Sequence, residues 1–331
     1  MGAFAFPMRL LAALLGLGFR CAADSCGKAD DSALLQVTRS FTQEDISLPN
    51  ACNFTSETMW PNELQQPYVG VLKQSYRKVE QLLAETLSKA PAPCQDVVLK
   101  MNIYPKTSGK AIPKKGAAYA GQAGCGVYLV SDWAASTLAS EGSTANGWVL
   151  MPFPTDAYLA EVPQERRSNE GQRMAKAIRV ALPLLVPSYI KRVTYADTKC
   201  DSNKFLQDAL PVAAGADLVL LKHPNRFGHH LEEEFEAVRV WMRMRHENHF
   251  VFDDVKKLED FLGPDMINKN VSLSDNKCIL WHQGSAIQAF SRTWSWYLAG
   301  FSMRTQLSFN AVLDACGHNM TVKFLPWMQN V

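Results

Sequence analysis

Short apolar runs alternate with amphipathic segments along most of the chain after residue 95. Runs rich in Val, Ile, Leu and aromatic residues predict buried strands at 97–104, 126–131, 147–153, 192–197, 216–223 and 278–282. Apolar residues at helical spacings predict helices at about 169–182, 231–246, 255–262 and 286–299. Strands that alternate with helices predict an α/β fold with a mainly parallel sheet flanked by helices. In such a fold, ligands bind beyond the carboxyl ends of the strands.

The first 95 residues follow a different pattern. Residues 24 to about 63 are polar and show no periodicity, which is typical of a linker or stem. Residues 67–90 carry apolar side chains at helical spacings, and the helix is expected to end at Pro91-Ala92-Pro93 because proline cannot continue a helix. We therefore predict a stem and helical extension over residues 24–95, followed by the main domain over residues 96–331.

The extreme N-terminus has the pattern of a cleavable secretory signal peptide. Arg9 precedes the apolar run 10–19, and Cys21-Ala22-Ala23 supplies small residues at a predicted cleavage site. The run is about half the roughly 20 apolar residues that a membrane-spanning helix needs, so an uncleaved anchor is the weaker alternative. We predict a signal peptide at 1–23. The mature protein is then expected in the Golgi or ER lumen, or secreted, with no integral membrane segment.

Cysteines and glycosylation triplets fit this compartment. Seven of the eight cysteines remain after residue 23. In an oxidising compartment we expect most of them to be paired and one to be left over. N-x-S/T triplets mark Asn53, Asn270 and Asn319 as predicted glycosylation sites.

The bulk composition argues against two classes of protein. Hydrophobic residues make up 47% and charged residues 20% of the chain, which is ordinary for a globular protein and not for a disordered one. The formal net charge is only +2, so we expect no general attraction to nucleic acid. The sequence also lacks the GxSxG, GxGxxG, P-loop and HExxH patterns, which leaves hydrolase and dinucleotide-binding hypotheses without support.

The first candidate for chemistry follows the strand predicted at 192–197. Asp197 and Lys199 stand two residues apart just past the strand end, where extended backbone points both side chains to the same side. The carboxylate could hold a divalent cation or a ribose, and the ammonium could meet a phosphate. The alternative is a surface turn with an ordinary ion pair.

A second cluster, of basic residues, follows the strand predicted at 216–223. Lys222, His223 and Arg226 fall in a predicted loop whose charges suit an anionic ligand such as a diphosphate. The alternative is a solvated loop before a helix. The glutamates of Glu232–Glu236 would then lie at the start of that helix, where its dipole favours negative charge.

A third cluster begins at Trp281-His282 and ends at Arg304-Thr305-Gln306. The aromatic residues between them could stack on sugars, but an aromatic stripe at helical spacing is more often core. Arg304 and Gln306 stand just before an apolar helix and are the stronger functional candidates. His282 is a further candidate for ligand binding.

Taken in this order, the three clusters resemble the TOD/MUCI-type glycosyltransferase-like domain, long catalogued as a domain of unknown function. In that family a strand ends in Tyr/Trp-x-Asp-x-Lys, a Lys-His-x-x-Arg segment precedes an acidic helix, and a Trp-rich helix leads to Arg-Asp-Gln-Leu-Ser-Phe. The corresponding segments here are 195–199, 222–226 and 294–309, and 127–132, Gly147-Trp148 and the basic helix around Arg173, Lys176 and Arg179 fit as well. The resemblance spans about residues 96–325.

The resemblance implies a GT-A-like (Rossmann-like) fold and the transfer of a sugar from a nucleotide-sugar donor to a glycan or glycoprotein. The residues that it implies for catalysis are Asp197, Arg304 and Gln306. Those that it implies for donor or substrate binding are Lys199, Lys222, His223, Arg226 and His282.

Two departures from the family pattern bear on activity. Thr305 stands where the family has aspartate, so a carboxylate is missing, and a catalytically inactive, secreted glycan-binding relative is the alternative function. Asp197-x-Lys199 replaces the Asp-x-Asp usual in metal-dependent GT-A enzymes. Asp197 is then the candidate ligand for Mn²⁺ or Mg²⁺, and Lys199 could neutralise a diphosphate in place of the metal.

Overall fold

The computed structural model describes residues 52, 54–61, 68–108, 118–140 and 146–328. The predicted signal peptide, most of the predicted stem, Cys26 and the triplet at Asn53 lie outside the described residues. The triplets at Asn270 and Asn319 are described, and both asparagines are exposed.

Strands and helices alternate along the chain, as the apolar pattern predicts. The strands are β1 (Asp96–Asn102), β2 (Gly126–Ser131), β3 (Val149–Phe153), β4 (Arg192–Ala196), β5 (Leu218–His230), β6 (Asn270–His282) and β7 (Val322–Leu325). The helices are α1 (Val69–Leu87), α2 (Asp132–Ser140), α3 (Thr155–Tyr158), α4 (Gln164–Leu185), α5 (Ser202–Ala213), α6 (Leu231–Met244), α7 (His249–Ile267), α8 (Ser285–Gly300) and α9 (Thr305–Cys316). Each strand and helix predicted after residue 95 has a counterpart among them.

The strands form one sheet in the order β3-β2-β1-β4-β6-β5-β7. β1 is parallel to β2 and β4, β2 to β3, and β5 to β7. β6 runs antiparallel to both of its neighbours, β4 and β5. This topology confirms the predicted α/β class with a mainly parallel sheet flanked by helices.

The direction of β6 decides what reaches each edge of the sheet. Cys278 pairs with Ala196 at the carboxyl end of β4, whereas His282 pairs with Arg192 at its amino end. The first half of β6, and not its end, therefore lies beside the edge where ligands bind in α/β sheets.

The segment after residue 221 is a strand, so the predicted loop at 222–226 is wrong. Residues 222–230 continue β5 and pair with the first half of β6, with register shifts after Leu220, Lys222 and Phe227. Apart from Phe227, Val271 and Leu273, the two paired segments consist of polar residues, Pro and Gly. Neither segment therefore has the continuous apolar run by which the other strands are predicted. The same reason explains why β6 begins at Asn270 and not at the predicted 278.

The core lies on both faces of the sheet because strand side chains alternate. Val97, Leu99 and Met101 of β1 pack into one cluster with α4 and α8, and Val98 packs into the other with α2 and α5. Trp294 of α8 is fully buried. Phe290 and Tyr297 of the same helix are buried as well, and Trp296 is partly buried against the core, so the core interpretation of the aromatic stripe is confirmed.

Helix α1 belongs to the same core. Its Tyr76 hydroxyl donates to the carbonyl oxygen of Ala177 in α4 at 2.8 Å. A disulfide joins Cys52 to Cys316 at the end of α9. Val79 and Leu83 of α1 are buried in the same core cluster as Leu99 of β1 and Leu129 of β2, so α1 packs directly on the domain that follows residue 95.

Two further disulfides brace the sheet. Cys94 is bonded to Cys125 and Cys200 to Cys278, which accounts for every cysteine in the described ranges. The prediction that most cysteines are paired is confirmed for this part of the chain. No helix among the described residues is both long and apolar enough to cross a lipid bilayer.

Candidate functional site

A cleft of about 640 Å³ opens at the carboxyl ends of β1 and β4. The first half of β6, one face of α4, the end of α6 and the first turn of α9 complete its walls. Its basic side chains are Lys176, Arg179, Lys199, Arg245, Lys277 and Arg304, and its acidic ones are Asp197 and Asp275. Six basic against two acidic side chains leave an excess of four positive charges, so the cleft suits an anionic ligand.

Asp197 is held in a fixed orientation at the mouth of this cleft. One carboxylate oxygen, Oδ1, accepts hydrogen bonds from the backbone N–H of Lys199 at 3.1 Å and the hydroxyl of Thr198 at 3.3 Å. The Tyr195 hydroxyl reaches the other oxygen, Oδ2, at 3.4 Å. These bonds orient the carboxylate before any ligand arrives, which lowers the entropic cost of binding.

The turn that carries Asp197 is itself anchored to β6. The backbone N–H of Asp197 donates to the carbonyl oxygen of Lys277 at 2.7 Å, and the Cys200–Cys278 disulfide follows directly. Lys199 lies between these anchors with an exposed side chain. The carboxylate is therefore rigidly placed, whereas the ammonium can move to meet a ligand.

Arg179 forms part of the cleft floor. This residue of α4 is 7% exposed, and its guanidinium lies 5.3 Å from the centre of the Tyr195 ring. It donates to the carbonyl oxygen of Asn276 at 3.1 Å and to the hydroxyl of Thr305. Burial, and then the charge of Asp197, raises the pKa of Tyr195 well above its ordinary value, so the phenol between the two charged groups is neutral.

Arg304 is stacked against one wall. Its guanidinium carbon lies 3.6 Å from the ring centre of Trp241, and that of Arg245 lies 4.1 Å from the same ring. Burial lowers the pKa of Arg304 to about 10, with Glu247 acting in the opposite direction from 3.9 Å. The Nε and Nη2 atoms of Arg304 have no hydrogen-bond partner among the described residues. The stacking holds the Arg304 guanidinium beside the cleft, with these N–H groups not used in hydrogen bonds to the protein.

The turn before Arg304 is held by a buried ion-pair network. Arg173 of α4 donates to the carbonyl oxygens of Leu298 and Phe301 at the end of α8. The same guanidinium is paired with Glu170 at 3.0 Å and with Asp254. Arg173 thus positions the start of α9 through the backbone and does not line the cleft.

Part of the set of predicted catalytic and binding residues lies together in the cleft. Asp197, Lys199, His223, Arg304 and Gln306 all line it. Burial, followed by the charge of Arg226, lowers the pKa of His223, so the imidazole is neutral near pH 7.

The remaining predicted residues do not line the cleft. Lys222 has an exposed side chain with its ammonium 4.8 Å from the ring centre of Phe227. Arg226 forms an ion pair with Glu234 at 2.8 Å. His282 lies at the opposite edge of the sheet because β6 is antiparallel.

The cleft offers a Mn²⁺ or Mg²⁺ ion few protein ligands, since Asp197 and Asp275 are its only carboxylates among the described residues. Both oxygens of Asp197 accept protein hydrogen bonds, and Asp275 accepts from the Trp327 indole at 2.9 Å and the backbone N–H of Lys277 at 3.3 Å. Across the described ranges, no group of three or more His, Cys, Asp or Glu residues could hold a metal ion. Cationic side chains are the groups available to neutralise a phosphate here.

The search for ligand-binding residues at strand ends did not identify most of the residues that form the cleft floor. Arg179 and Lys176 lie on α4, Arg245 follows α6, and Asn276 belongs to the unpredicted half of β6. One signal was available besides the basic helix already noted, because Arg179 is the one charged residue in the otherwise apolar run 177–185. A charged residue on a buried helix face usually has a partner or a ligand.

Comparisons with known proteins give only distant structural likenesses. No family model matches the sequence, and no curated protein matches it either. Mouse xyloside xylosyltransferase 1, in its apo form, matches with a TM-score of 0.39 and 13% identity, over 70% of this chain and 85% of that one. A 4-diphosphocytidyl-2C-methyl-D-erythritol synthase from Anaerococcus prevotii matches with a TM-score of 0.33 and 8% identity, over 70% and 87%. At these values neither likeness carries an argument about function, and the fold class rests on the topology of the sheet.

Proposed function

We propose that this chain is a glycosyltransferase that transfers a sugar from a nucleotide-sugar donor to a glycan or glycoprotein in the secretory pathway. The observation that supports this proposal most is the basic cleft at the carboxyl edge of the sheet, with the fixed carboxylate of Asp197 at its mouth. A nucleotide sugar combines the two features that this arrangement suits, a ribose with hydroxyl groups and a diphosphate with negative charge. The resemblance of the three sequence clusters to the TOD/MUCI-type domain supports the same proposal.

In this proposal Asp197 accepts hydrogen bonds from the ribose and Lys199 contacts the diphosphate. The acceptor's hydroxyl oxygen forms a new bond to the anomeric carbon and its proton passes to water. The bond between the anomeric carbon and the phosphate oxygen breaks, and its electron pair stays on the leaving nucleoside diphosphate. The guanidinium of Arg304 and the ammonium of Lys199 stabilise that charge. Gln306, at the start of α9, can hydrogen-bond the transferred sugar or its acceptor.

The compartment is part of the proposal. Three disulfides among the described residues are compatible with an oxidising lumen or with secretion. The predicted signal peptide at 1–23 supports the same location.

One observation favours the alternative of a binding protein that does not transfer sugar. Thr305 replaces the family's aspartate. Its side chain is fully buried, and its hydroxyl oxygen accepts a hydrogen bond from Arg179. If that aspartate is essential in the family, this chain retains the ligand cleft and lacks turnover.

Turnover of nucleotide sugars distinguishes the two functions. Purified protein is incubated with a panel of nucleotide sugars and glycan acceptors, and the release of free nucleotide is measured. Release that Asp197→Asn abolishes and Asp208→Asn leaves intact supports the enzyme, since Asp208 is exposed on α5 and does not line the cleft. Tight donor binding without release supports the binding protein, and neither binding nor release contradicts both.

A further inference from the structure

A buried cation without an ionic partner lies in the floor of the cleft. Within the described part of the chain, no carboxylate is close enough to Arg179 to form an ion pair, and its Nε has no hydrogen-bond partner. Its partners are the Asn276 carbonyl, the Thr305 hydroxyl and the Tyr195 phenol, and all three groups are neutral. Burying a guanidinium is unfavourable unless an opposite charge compensates it.

Thr305 has little capacity left to compensate that charge. Its hydroxyl oxygen accepts from Arg179 and also from the side-chain amide of Asn276, at 3.1 Å. A hydroxyl has two acceptor lone pairs, so both are used. The charge of Arg179 therefore has no anionic partner among the described residues, and an oxyanion of the ligand would supply one.

The first turn of α9 adds a second set of donors at the same place. The helix has 12 residues and begins at Thr305, and the preceding residue, Arg304, provides no side-chain cap. The first backbone N–H groups of a helix have no partner within it, and the helix dipole places partial positive charge there. The first turn of α9 carries no acidic side chain. Arg304 and Gln306 of this turn line the cleft together with Arg179.

We propose that Arg179 and the N-terminal turn of α9 form a binding site for one oxyanion of the ligand, and that Thr305 keeps this site open. The group that fits is a phosphate or a carboxylate, since a guanidinium pairs with either through parallel hydrogen bonds. A neutral hydroxyl group would leave the charge of Arg179 uncompensated. The site deepens the proposed glycosyltransferase function, and it is tested without assuming turnover.

The identity of residue 305 gives the sharpest test. Thr305→Asp places a carboxylate against the guanidinium and fills the site from within, whereas Thr305→Asn has nearly the same shape and no charge. We expect Thr305→Asp to weaken the binding of pyrophosphate and of nucleoside diphosphates by about tenfold to a hundredfold. Thr305→Asn should bind both within about threefold of the parent. Neither change should alter the binding of an uncharged nucleoside.

A second variant covers the case in which Thr305→Asp does not fold. Gln306 is only partly buried, so Gln306→Glu adds a carboxylate to the same helix turn with less disturbance of packing. It should weaken pyrophosphate binding in the same direction. Melting temperatures without ligand report whether each variant is folded.

The probes separate the sources of the oxyanion. Calorimetric titrations use pyrophosphate, a nucleoside diphosphate, and glucuronate with glucose as its neutral control. Loss of pyrophosphate binding in Thr305→Asp assigns the site to phosphate, and loss of glucuronate binding alone assigns it to a sugar carboxylate. Unchanged binding of all the probes in a folded Thr305→Asp variant, or no oxyanion binding by the parent, would overturn the proposal. Residue-305-dependent pyrophosphate binding in a protein that ignores nucleotide sugars would leave the site standing and refute the transferase.

Discussion

Asp197 and Lys199 are expected to act on different halves of a nucleotide. Asp197→Asn removes the charge but leaves a carbonyl oxygen that can still accept from the Lys199 N–H and the Thr198 hydroxyl. The turn is also held by the Cys200–Cys278 disulfide. We therefore expect the unfolding free energy to change by about 1 kcal/mol or less, while the hydrogen bonds to a ribose weaken.

The magnitudes follow from the exposure of each group. Loss of a charge-assisted hydrogen bond at the part-buried Asp197 should cost about 1.5–3 kcal/mol, or tenfold to a hundredfold in nucleoside affinity. Pyrophosphate should bind Asp197→Asn at least as well as the parent, because the excess of positive charge rises. Lys199 is exposed, so Lys199→Ala should weaken pyrophosphate by about 1 kcal/mol, roughly fivefold, and leave the nucleoside unchanged.

Calorimetric titration with a nucleoside, its diphosphate and pyrophosphate at one ionic strength measures this crossed pattern. Matched controls are Asp208→Asn and Lys204→Ala, whose side chains are exposed on α5 and do not line the cleft. If both test variants weaken all the ligands equally, or neither weakens any, the assignment of ribose to Asp197 and of phosphate to Lys199 is wrong.

Further predictions concern the turn, the N-terminal helix and pH. Cys278→Ser opens the disulfide to Cys200, and should lower the unfolding free energy by about 2–4 kcal/mol and weaken nucleoside binding as well. Urea titration reports whether Cys278→Ser is folded. If the folded variant binds the nucleoside as tightly as the parent does, the disulfide does not brace the site. Tyr76→Phe loses the hydrogen bond to Ala177, so the unfolding free energy from chemical denaturation should fall by about 1 kcal/mol while ligand binding stays the same. No loss of stability would argue that α1 is not part of the core. Burial lowers the pKa of His223 from 6.5, so the unfolded state binds more protons once the pH falls through 6.5. Stability should therefore decline with acidity below that value, and less steeply in His223→Gln; parallel profiles for the two proteins would refute this.

The alternation of buried runs and amphipathic segments was enough to predict the α/β class. It could not predict α2, which is short and rich in Ala and Ser, or α5, which contains Pro211 and follows the Asp197 turn directly. The ribbon of β5 and β6 was also missed, since two polar strands that pair with each other carry no apolar signature. These two strands form because they pair with each other across a long sequence separation, and a local pattern does not show such pairing.

The site shows the same division between local and distant information. The end of β4 was predicted as a ligand edge, and Asp197 and Lys199 do line the cleft. His282 was predicted to bind ligand as part of the third cluster, but β6 runs antiparallel to its neighbours and places that residue at the opposite edge. Arg179 was noticed as part of a basic helix but was given no role, because its place in the floor depends on helix packing. Asn276 reaches the floor through the direction of β6, which no linear motif encodes.

Binding of a nucleotide sugar in the basic cleft is the central claim, and a crystal structure with a bound nucleoside diphosphate tests it most directly. Crystals are soaked with the diphosphate that binds most tightly in the calorimetric panel. We predict ribose hydroxyls within hydrogen-bond distance of Asp197, and phosphate oxygens beside Lys199, Arg179 and the first turn of α9. A nucleotide found outside this cleft, or a cleft that stays empty while calorimetry shows saturation, would contradict the account.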